Sequence, residues 1–362
     1  MNVLLINNRY RYCGIGEYTF SLYQALKNIQ GDKVELLSWQ GDIVEKLYIG
    51  IRENNFLQYP EEALRVLSQL IFMLKVPKKH ALYHVTNSSL SLLAKWTKPC
   101  IVTVHDLIPF ACPRDFTDRL IQKSTQALSH ADMIICVSHY TKKDLLRYLD
   151  VDPYKVRVIH EGVDHSEFQP RDKSTAMKML GLPEDKTIIL HVGNEEPRKN
   201  IPLLIKAFYK LQKKTSNVVL VRIGEKTEAT QSLIQSLGIE EKVLYFKNVG
   251  NLKLYYNAAD MLVFPSFFEG FGFPVLQAMA SGCPVVASNS TSIPEIVGNA
   301  GVLLSPLDID GFAHWMYAIC TNQDLKMKFV SEGYKQSQLF SWEKCAQETL
   351  KVYEEVENCT SS

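Results

Sequence analysis

The sequence has no uncharged apolar run of the about 18 residues that a membrane-spanning helix requires. It also has little net charge, because 40 lysines and arginines stand against 39 aspartates and glutamates. A nucleic-acid-binding protein usually carries a basic surplus, so we expect no nucleic-acid partner. The 362 residues contain no internal repeat and no biased tract, which excludes a disordered or collagen-like chain.

The eight cysteines form no Cys-x-x-Cys pair, and the first residues lack the charged segment of a secretory signal. Several cysteines, such as Cys136, lie in apolar runs, where a cysteine acts as a small buried hydrophobe. From these features we expect a cytoplasmic protein in a reducing compartment.

Short apolar runs alternate with amphipathic segments along the chain. Strands are predicted at 3–7, 34–38, 82–86, 100–105, 133–137 and 156–160, and then at 187–193, 218–223, 243–246, 261–265 and 284–288. Continuous apolar runs are typical of parallel strands that are buried on both faces. Two successive series of this kind predict an α/β protein with two doubly wound, Rossmann-like domains facing a central cleft.

A segment at 161–186 with several glycines and prolines separates the two series. We therefore predict an N-terminal domain at 1–163, a C-terminal domain at 164–340 and a final helical segment at 341–362. Ligands of such folds usually bind at the carboxyl ends of the strands, so the residues that follow each strand are the candidates for a binding site.

Gly14 and Gly16 follow the first predicted strand and open a helix predicted at about 16–27. Glycines let the backbone approach a ligand, and a helix N-terminus favours an anion, although a tight turn would use the same residues. A dinucleotide fingerprint needs a third glycine where Thr19 stands, which disfavours NAD.

Arg198 and Lys199 follow the strand at 187–193 and precede a helix predicted at 200–214, with Asn200 as its N-cap. Adjacent cations at the ligand edge of a sheet can clamp a diphosphate. The simpler interpretation is a solvated pair of charges on a loop.

Glu269 lies in a loop between a predicted strand and a predicted helix, and Gly270, Phe271 and Gly272 follow it. Backbone amides in this loop can bind oxygen atoms, and Gln277 lies about one turn into the helix, where it can face the same pocket. A carboxylate beside amides suits a polyhydroxylated ligand. The alternative is that Glu269 only caps the helix.

His105 ends a predicted strand, where it could bind a ligand, transfer a proton or be a satisfied core histidine. Asp150 and Asp152, like Asp308 and Asp310, have a spacing that binds metal–diphosphate complexes elsewhere. The first pair leads into a strand and the second resembles an N-cap, so we predict no metal ion and no cofactor.

Six motifs, in this order, resemble those of the retaining glycosyltransferases of family 4, which have the GT-B fold. They are Gly14-Ile15-Gly16, Val104-His105-Asp106-Leu107, Glu161-Gly162-Val163-Asp164, Pro197-Arg198-Lys199-Asn200, the block around Glu269, and Ile293-Pro294-Glu295-Ile296-Val297-Gly298. The resemblance covers nearly the whole chain.

The resemblance implies an acceptor site in the N-terminal domain and a nucleotide-sugar donor site in the C-terminal domain. Arg198 and Lys199 would neutralise the diphosphate, Glu269 and the amides after it would hold the sugar, and His105 would reach the sugar from the other domain. The base would lie near Val249, and the glycines at 14 and 16 would approach the diphosphate and the acceptor. The last helix would pack on the N-terminal domain.

The implied function is transfer of a hexose-type sugar from a UDP- or GDP-sugar to a glycan or lipid-linked acceptor. The family usually has a second glutamate, which binds the ribose, where this chain has Gln277. That departure keeps an alternative open, a catalytically silent nucleotide-sugar-binding subunit. A basic, amphipathic segment at 142–147 indicates a weak peripheral contact with the cytoplasmic face of a membrane.

Overall fold

The structure is a computed structural model that describes residues 1–9, 13–38, 69–112 and 116–361. The chain divides into two compact units. The first unit comprises Met1–Gly162 together with Trp342–Ser362, and the second comprises Val163–Ser341. Each unit contains its own six-stranded parallel sheet, so the predicted α/β class with two Rossmann-like domains is confirmed.

The sheet of the first unit has the strand order β2-β1-β3-β4-β5-β6. Its strands are β1 (Val3–Asn7), β2 (Val34–Ser38), β3 (Leu82–Val85), β4 (Cys100–Val104), β5 (Met133–Cys136) and β6 (Val156–Val158). Its helices are α1 (Gly14–Gln30), α2 (Ile108–Ala111), α3 (Phe116–Thr125), α4 (His139–Tyr148) and the C-terminal α13 (Trp342–Ser361), with a further helical segment at 69–74. The strands are built from the apolar runs that the sequence predicted, most of them one or two residues shorter.

A buried polar contact holds α13 to this sheet. Nδ1 of His84 on β3 lies 2.7 Å from the Tyr353 hydroxyl, and Nε2 lies 2.8 Å from the Thr103 hydroxyl on β4. Burial lowers the pKa of His84 to about 3, so the ring is neutral near pH 7. The C-terminal helix therefore belongs to the N-terminal unit, although 179 residues of the second unit separate them in sequence.

The sheet of the second unit has the strand order β9-β8-β7-β10-β11-β12. Its strands are β7 (Thr187–Val192), β8 (Val218–Ile223), β9 (Val243–Phe246), β10 (Met261–Phe264), β11 (Val285–Ser288) and β12 (Val302–Leu304). Its helices are α5 (Lys173–Leu180), α6 (Ile201–Gln212), α7 (Glu228–Leu237), α8 (Leu252–Ala258), α9 (Phe273–Ala280), α10 (Ile293–Val297), α11 (Ile309–Thr321) and α12 (Gln323–Ser337). The sequence did not predict β12, because three edge residues are too few to show a period.

The direction of strand addition in the second sheet reverses at β7. The chain goes from β7 outward to β8 and β9, and then returns to place β10 on the other side of β7. In open parallel sheets such a reversal leaves a crevice at the carboxyl ends of the two central strands, where ligands bind. The loops after β7 and β10 are therefore neighbours, and they carry Arg198, Lys199 and Glu269.

Local signals set the ends of several helices in this unit. The Asp172 carboxylate accepts a hydrogen bond from the Thr175 amide at 2.7 Å and starts α5, and Gly181 ends it with φ 64°. Thr227 and Gly238 play the same parts for α7. Among the described residues, no helix combines the length and the apolarity that crossing a membrane requires.

Candidate active site

The loop after β7 turns sharply before α6 begins. Pro197–Lys199 forms one turn of 3-10 helix, and Asn200 follows it in a left-handed conformation with φ 54°. The Asn200 amide donates to the carbonyl oxygens of Pro306 at 2.7 Å and Pro265 at 3.2 Å. Asn200 is the N-cap residue of α6, as predicted, but its side chain makes no capping hydrogen bond and joins three loops instead.

Arg198, Lys199 and Glu269 lie together at the carboxyl edge of the sheet. Oε1 of Glu269 accepts a hydrogen bond from Nζ of Lys199 at 2.7 Å, and Oε2 accepts one from Nη1 of Arg198 at 2.9 Å. Lys199 and Glu269 are both buried, each with 7% of its surface exposed. The solvated pair of charges that was the simpler interpretation of Arg198 and Lys199 is therefore not what the structure shows.

The charges in this cluster stabilise one another against the cost of burial. Burial by itself raises the pKa of the Glu269 carboxyl, but the Lys199 ammonium and the Arg198 guanidinium outweigh it, so the pKa lies below the usual value. Burial lowers the pKa of Lys199 despite the opposing charge of Glu269. An additional anion beside Lys199 would restore the stability of its charged form, which favours binding of an anionic group here.

The loop that carries Glu269 is held by the residues just before α10. The Ser292 hydroxyl donates to the carbonyl oxygens of Glu269 at 3.0 Å and Phe271 at 2.7 Å, and the Thr291 hydroxyl accepts from the Glu269 amide at 2.9 Å. Gly272 has φ 126°, and a Cβ there would lie 2.8 Å from Ile293, so the turn into α9 requires glycine. The carboxylate is thus directed onto the two cations, which favours more than a capping role for Glu269.

Gln277 and Val249 lie in the same unit as this cluster. Gln277 is 3% exposed, and its amide oxygen accepts a hydrogen bond from the Tyr256 hydroxyl at 3.0 Å. Val249 is half-buried in the segment between β9 and α8. The contact of Gln277 with the ribose and that of Val249 with the base stay predictions. The same holds for the contacts of a sugar with the backbone amides of Gly270, Phe271 and Gly272.

Three further predicted site residues lie in the first unit. α1 begins at Gly14, two residues before the predicted start, and Gly16 is buried within it. Nε2 of His105 donates to the carbonyl oxygen of Thr86 at 2.9 Å, and Nδ1 lies 2.8 Å from Oε1 of Glu161. Both ring nitrogens are thus engaged within this unit, which favours the core-histidine alternative, and the predicted contact of His105 with the sugar stays a prediction.

Two residues with close contacts to the predicted site had no role in the sequence analysis. Glu161, the partner of His105, is 2% exposed, and burial raises its pKa. Glu195 lies three residues before Arg198 and pairs with Arg222 at 3.4 Å. Glu161 opens one of the six motifs that carry the resemblance, whereas the only sequence signal of Glu195 is its position just after a predicted strand.

The acidic pairs outside this site contribute to local structure. Oδ1 of Asp308 accepts a hydrogen bond from the Gly311 amide at 2.8 Å, which confirms the predicted N-cap. Oδ1 of Asp152 accepts one from the Tyr154 amide at 2.9 Å.

Two family models match the chain, one for each half. Residues 12–167 match the model "Glycosyltransferase Family 4", and residues 172–336 match "Glycosyl transferases group 1". The O-antigen chain mannosyltransferase B of Escherichia coli is 30% identical over 265 residues, which cover 70% of this chain and 69% of that protein. A D-inositol 3-phosphate glycosyltransferase of Nocardioides is 31% identical over 249 residues, 63% of this chain but only 54% of that protein.

Solved structures are similar over almost the entire chain. Anabaena HepE in complex with UDP and glucose has a TM-score of 0.77 at 17% identity and covers 98% of this chain and 99% of its own. Sucrose-phosphate synthase from Thermosynechococcus elongatus has a TM-score of 0.75 at 21% identity and covers 99% of both chains. At these identities the likeness shows the fold. Together with the mannosyltransferase, which matches over more than two thirds of both lengths, it shows that the chain belongs to the family 4 type of GT-B glycosyltransferases, enzymes that transfer sugars.

Proposed function

We propose that the protein is a retaining glycosyltransferase that moves a hexose-type sugar from a UDP- or GDP-sugar to a glycan or lipid-linked acceptor. The observation that carries this proposal is the cluster of Arg198, Lys199 and Glu269 at the crevice between β7 and β10. The similarity to HepE, which was crystallised with UDP and glucose, makes UDP-sugars the first donors to test. The similarity to a mannosyltransferase and to inositol phosphate glycosyltransferases supports a hexose donor and a polyhydroxylated acceptor.

In the proposed reaction the bond between the anomeric carbon and the diphosphate breaks, and the acceptor hydroxyl oxygen bonds to that carbon on the same face. A phosphate oxygen of the leaving group takes the acceptor's proton, so the products are the glycoside and the nucleoside diphosphate. Negative charge develops on the diphosphate, and Arg198 and Lys199 stabilise it most in the transition state. No second carboxylate at short distance is required, in contrast to retaining hydrolases.

Glu269 has two functions in this scheme. Its ionised carboxylate presets the two cations, and it keeps acceptor capacity for sugar hydroxyls, because a carboxylate can accept about four hydrogen bonds. Lowering of the Glu269 pKa by Lys199 and Arg198 keeps the carboxylate ionised at neutral pH.

We also propose that the reaction needs no metal ion, because the two cations neutralise the leaving group. Activity should then persist in a chelator such as EDTA. If chelation abolishes transfer and a divalent ion restores it, the acidic pairs at Asp150 and Asp308 become candidate ligands.

The test combines a donor screen with two variants. A ligand at about 100 times its Kd stabilises a protein by about 2.7 kcal/mol, so a thermal-shift screen of UDP- and GDP-sugars identifies the donor. Arg198→Ala and Lys199→Ala should each lose about 2–4 kcal/mol of transition-state stabilisation. Lys210→Ala, an exposed lysine on α6 outside the site, is the matched control. Turnover near that of the wild type in both site variants would contradict the clamp.

A further inference from the structure

A row of four side chains crosses the second sheet just below the loop that carries Arg198 and Lys199. The strand register places His191 on β7 beside Arg222 on β8, and Arg222 beside Tyr245 on β9. On the other side, the His191 ring stacks on Phe264 of β10 with a centroid distance of 5.8 Å. The row therefore lies directly under the carboxyl edge of the sheet, where Arg198, Lys199 and Glu269 are.

Arg222 is a fully buried cation in this row, with 0% of its surface exposed. Its guanidinium donates to Nδ1 of His191 and to the carbonyl oxygen of Gly193, the latter at 3.3 Å from each Nη, and it pairs with Oε1 of Glu195 at 3.4 Å. A buried charge is tolerated when it is paired and hydrogen-bonded. Both the acidic partner and the carbonyl belong to the loop after β7, so the charge of Arg222 holds that loop.

Glu195 connects this loop to two other segments. Its Oε2 accepts from the amide and the hydroxyl of Thr227 at 2.8 and 2.6 Å, and its Oε1 accepts from the Tyr245 hydroxyl at 3.0 Å. Thr227 is the N-cap of α7, and Tyr245 lies on β9. One carboxylate thus joins the loop after β7, the start of α7 and β9, three residues before Arg198.

The backbone of Gly193 lies between the loop after β8 and the side chain of Lys199. A Cβ at Gly224, in the loop after β8, would lie 2.3 Å from the Gly193 carbonyl oxygen, so the two loops are in direct contact. A Cβ at Gly193 would lie 3.4 Å from Cε of Lys199, whose Nζ is 4.9 Å from the centre of the Phe264 ring. The aliphatic part of the Lys199 side chain therefore lies beside the backbone of Gly193.

We propose that Glu195 and Arg222 are positioning residues for the sugar donor, which hold the loop at 193–200 so that Arg198 and Lys199 are in place before the diphosphate binds. The inference rests on the proposed function, and it assigns to neither residue a contact with the substrate. Binding of the donor to a loop that is already ordered costs less conformational entropy. Such a loop also holds its charged side chains closer to the productive geometry.

The test compares two ion-paired carboxylates of the same unit whose side chains are little exposed, Glu195 and Asp260. Asp260 precedes β10 at the opposite edge of the sheet, where it is 6% exposed, accepts from the Ile188 amide at 2.8 Å and pairs with Lys173 and Lys326. We would measure Tm, Kd for UDP and GDP, donor KM and kcat, and hydrogen exchange at 193–200 for Glu195→Ala and Asp260→Asn.

For Glu195→Ala we expect Kd and donor KM to rise about tenfold, kcat to fall, and exchange at 193–200 to accelerate. For Asp260→Asn we expect a lower Tm, with Kd, KM and exchange at 193–200 within about twofold of the wild type. If Glu195→Ala lowers Tm while these quantities stay within the same limits, its role is only structural and the proposal is wrong.

Tyr245→Phe keeps the test decisive if Glu195→Ala does not fold. It removes one hydrogen bond from Glu195 and should raise Kd and KM about two- to fourfold, and unchanged values would overturn the proposal. If the wild type binds neither UDP nor GDP, the proposed function fails. Hydrogen exchange needs no ligand, so it still shows whether Glu195 orders the loop.

Discussion

At the scale of single residues, the site is defined by one carboxylate shared between two cations. Glu269 is ion-paired with both Arg198 and Lys199, and in the proposed reaction we expect the diphosphate to share those cations with it. The sequence predicted that these three residues belong to the site, because each follows a predicted strand. It did not predict that they would be ion-paired with one another.

Glu269→Ala separates the sugar half of the site from the nucleotide half. Glu196 stays ion-paired with Arg198 at 3.0 Å, but removing the Glu269 carboxylate takes away an anion that competes with the diphosphate for both cations, so Kd for the free nucleoside diphosphate should stay unchanged or fall. Transfer should be lost, because the sugar and the cations are no longer oriented. Calorimetry with UDP and GDP and turnover with the identified donor measure the two effects. Equal losses of binding and transfer would move Glu269 to the nucleotide half.

Gln277→Glu tests the position at which the chain departs from the family pattern. Hydrogen bonds to charged groups contribute about 1.5–3 kcal/mol and neutral ones about 1 kcal/mol, so a carboxylate should hold the ribose hydroxyls more tightly. The introduced carboxylate could still accept from Tyr256. Because the ribose is remote from the reacting carbon, donor KM should fall several-fold with little change in kcat.

Gln277→Ala is the companion variant and should raise donor KM by a similar factor. If neither substitution at Gln277 changes donor affinity, the residue does not contact the ribose. If Gln277→Glu creates activity in an inert protein, the silent-subunit alternative is correct.

At the scale of elements, a buried polar pair links segments that follow two different strands of one sheet. In the first unit the contact between His105 and Glu161 joins the segments that follow β4 and β6. Nε2 of His105 donates to a carbonyl, so Nδ1 accepts the proton of a neutral Glu161 or donates to an ionised one. Burial raises the pKa of Glu161, and the hydrogen bond with His105 opposes that rise.

The pH dependence of the stability of Glu161→Gln should show whether folding raises the pKa of Glu161. When folding raises the pKa of a carboxyl, the native state holds the proton more tightly than the unfolded chain does. The native state therefore loses stability as the pH rises from the pKa of the unfolded chain to that of the folded protein, and below the unfolded value there is no such effect. The variant cannot ionise, so its Tm relative to the wild type should increase from pH 5 to pH 8.5. Glu161→Ala, which also removes the hydrogen bond, should be less stable throughout. A relative loss for Glu161→Gln at high pH would indicate an ionised Glu161 paired with a charged His105.

At the scale of the whole molecule, each unit has a separate core, and helices pack against each sheet. In the first unit the predicted basic segment at 142–147 lies in α4, whose apolar side serves that core. Leu145 and Asp144 are buried, and Nζ of Lys142 donates to the Val156 carbonyl at 2.9 Å. Lys143 and Arg147 are the exposed cations of this segment.

A membrane contact through α4 should therefore be weak and sensitive to salt. Two exposed cations at about 1 kcal/mol each give about 2 kcal/mol of attraction to anionic lipid. Co-sedimentation with anionic vesicles at low ionic strength should retain part of the protein, and Lys143→Ala together with Arg147→Ala should release it. Complete recovery of the wild-type protein in the supernatant at low salt would rule out this contact.

The sequence by itself determined the alternation of strands and helices and the positions of Arg198, Lys199 and Glu269 after strands. Apolar periodicity and glycine placement are local properties, so they can be read along the chain. Even the strand ends were close to those observed, apart from β12.

Only the tertiary structure decided what these residues contact. Asn200 looked like a helix cap, but its side chain reaches the carbonyls of Pro265 and Pro306 in distant loops. Arg222 and Glu195 were ordinary charged residues in the sequence, yet strand register and the contact between Gly193 and Gly224 bury them as a pair. Hydrogen bonds between residues 27 to 106 positions apart depend on sheet order and register, and those are set by packing of the whole unit.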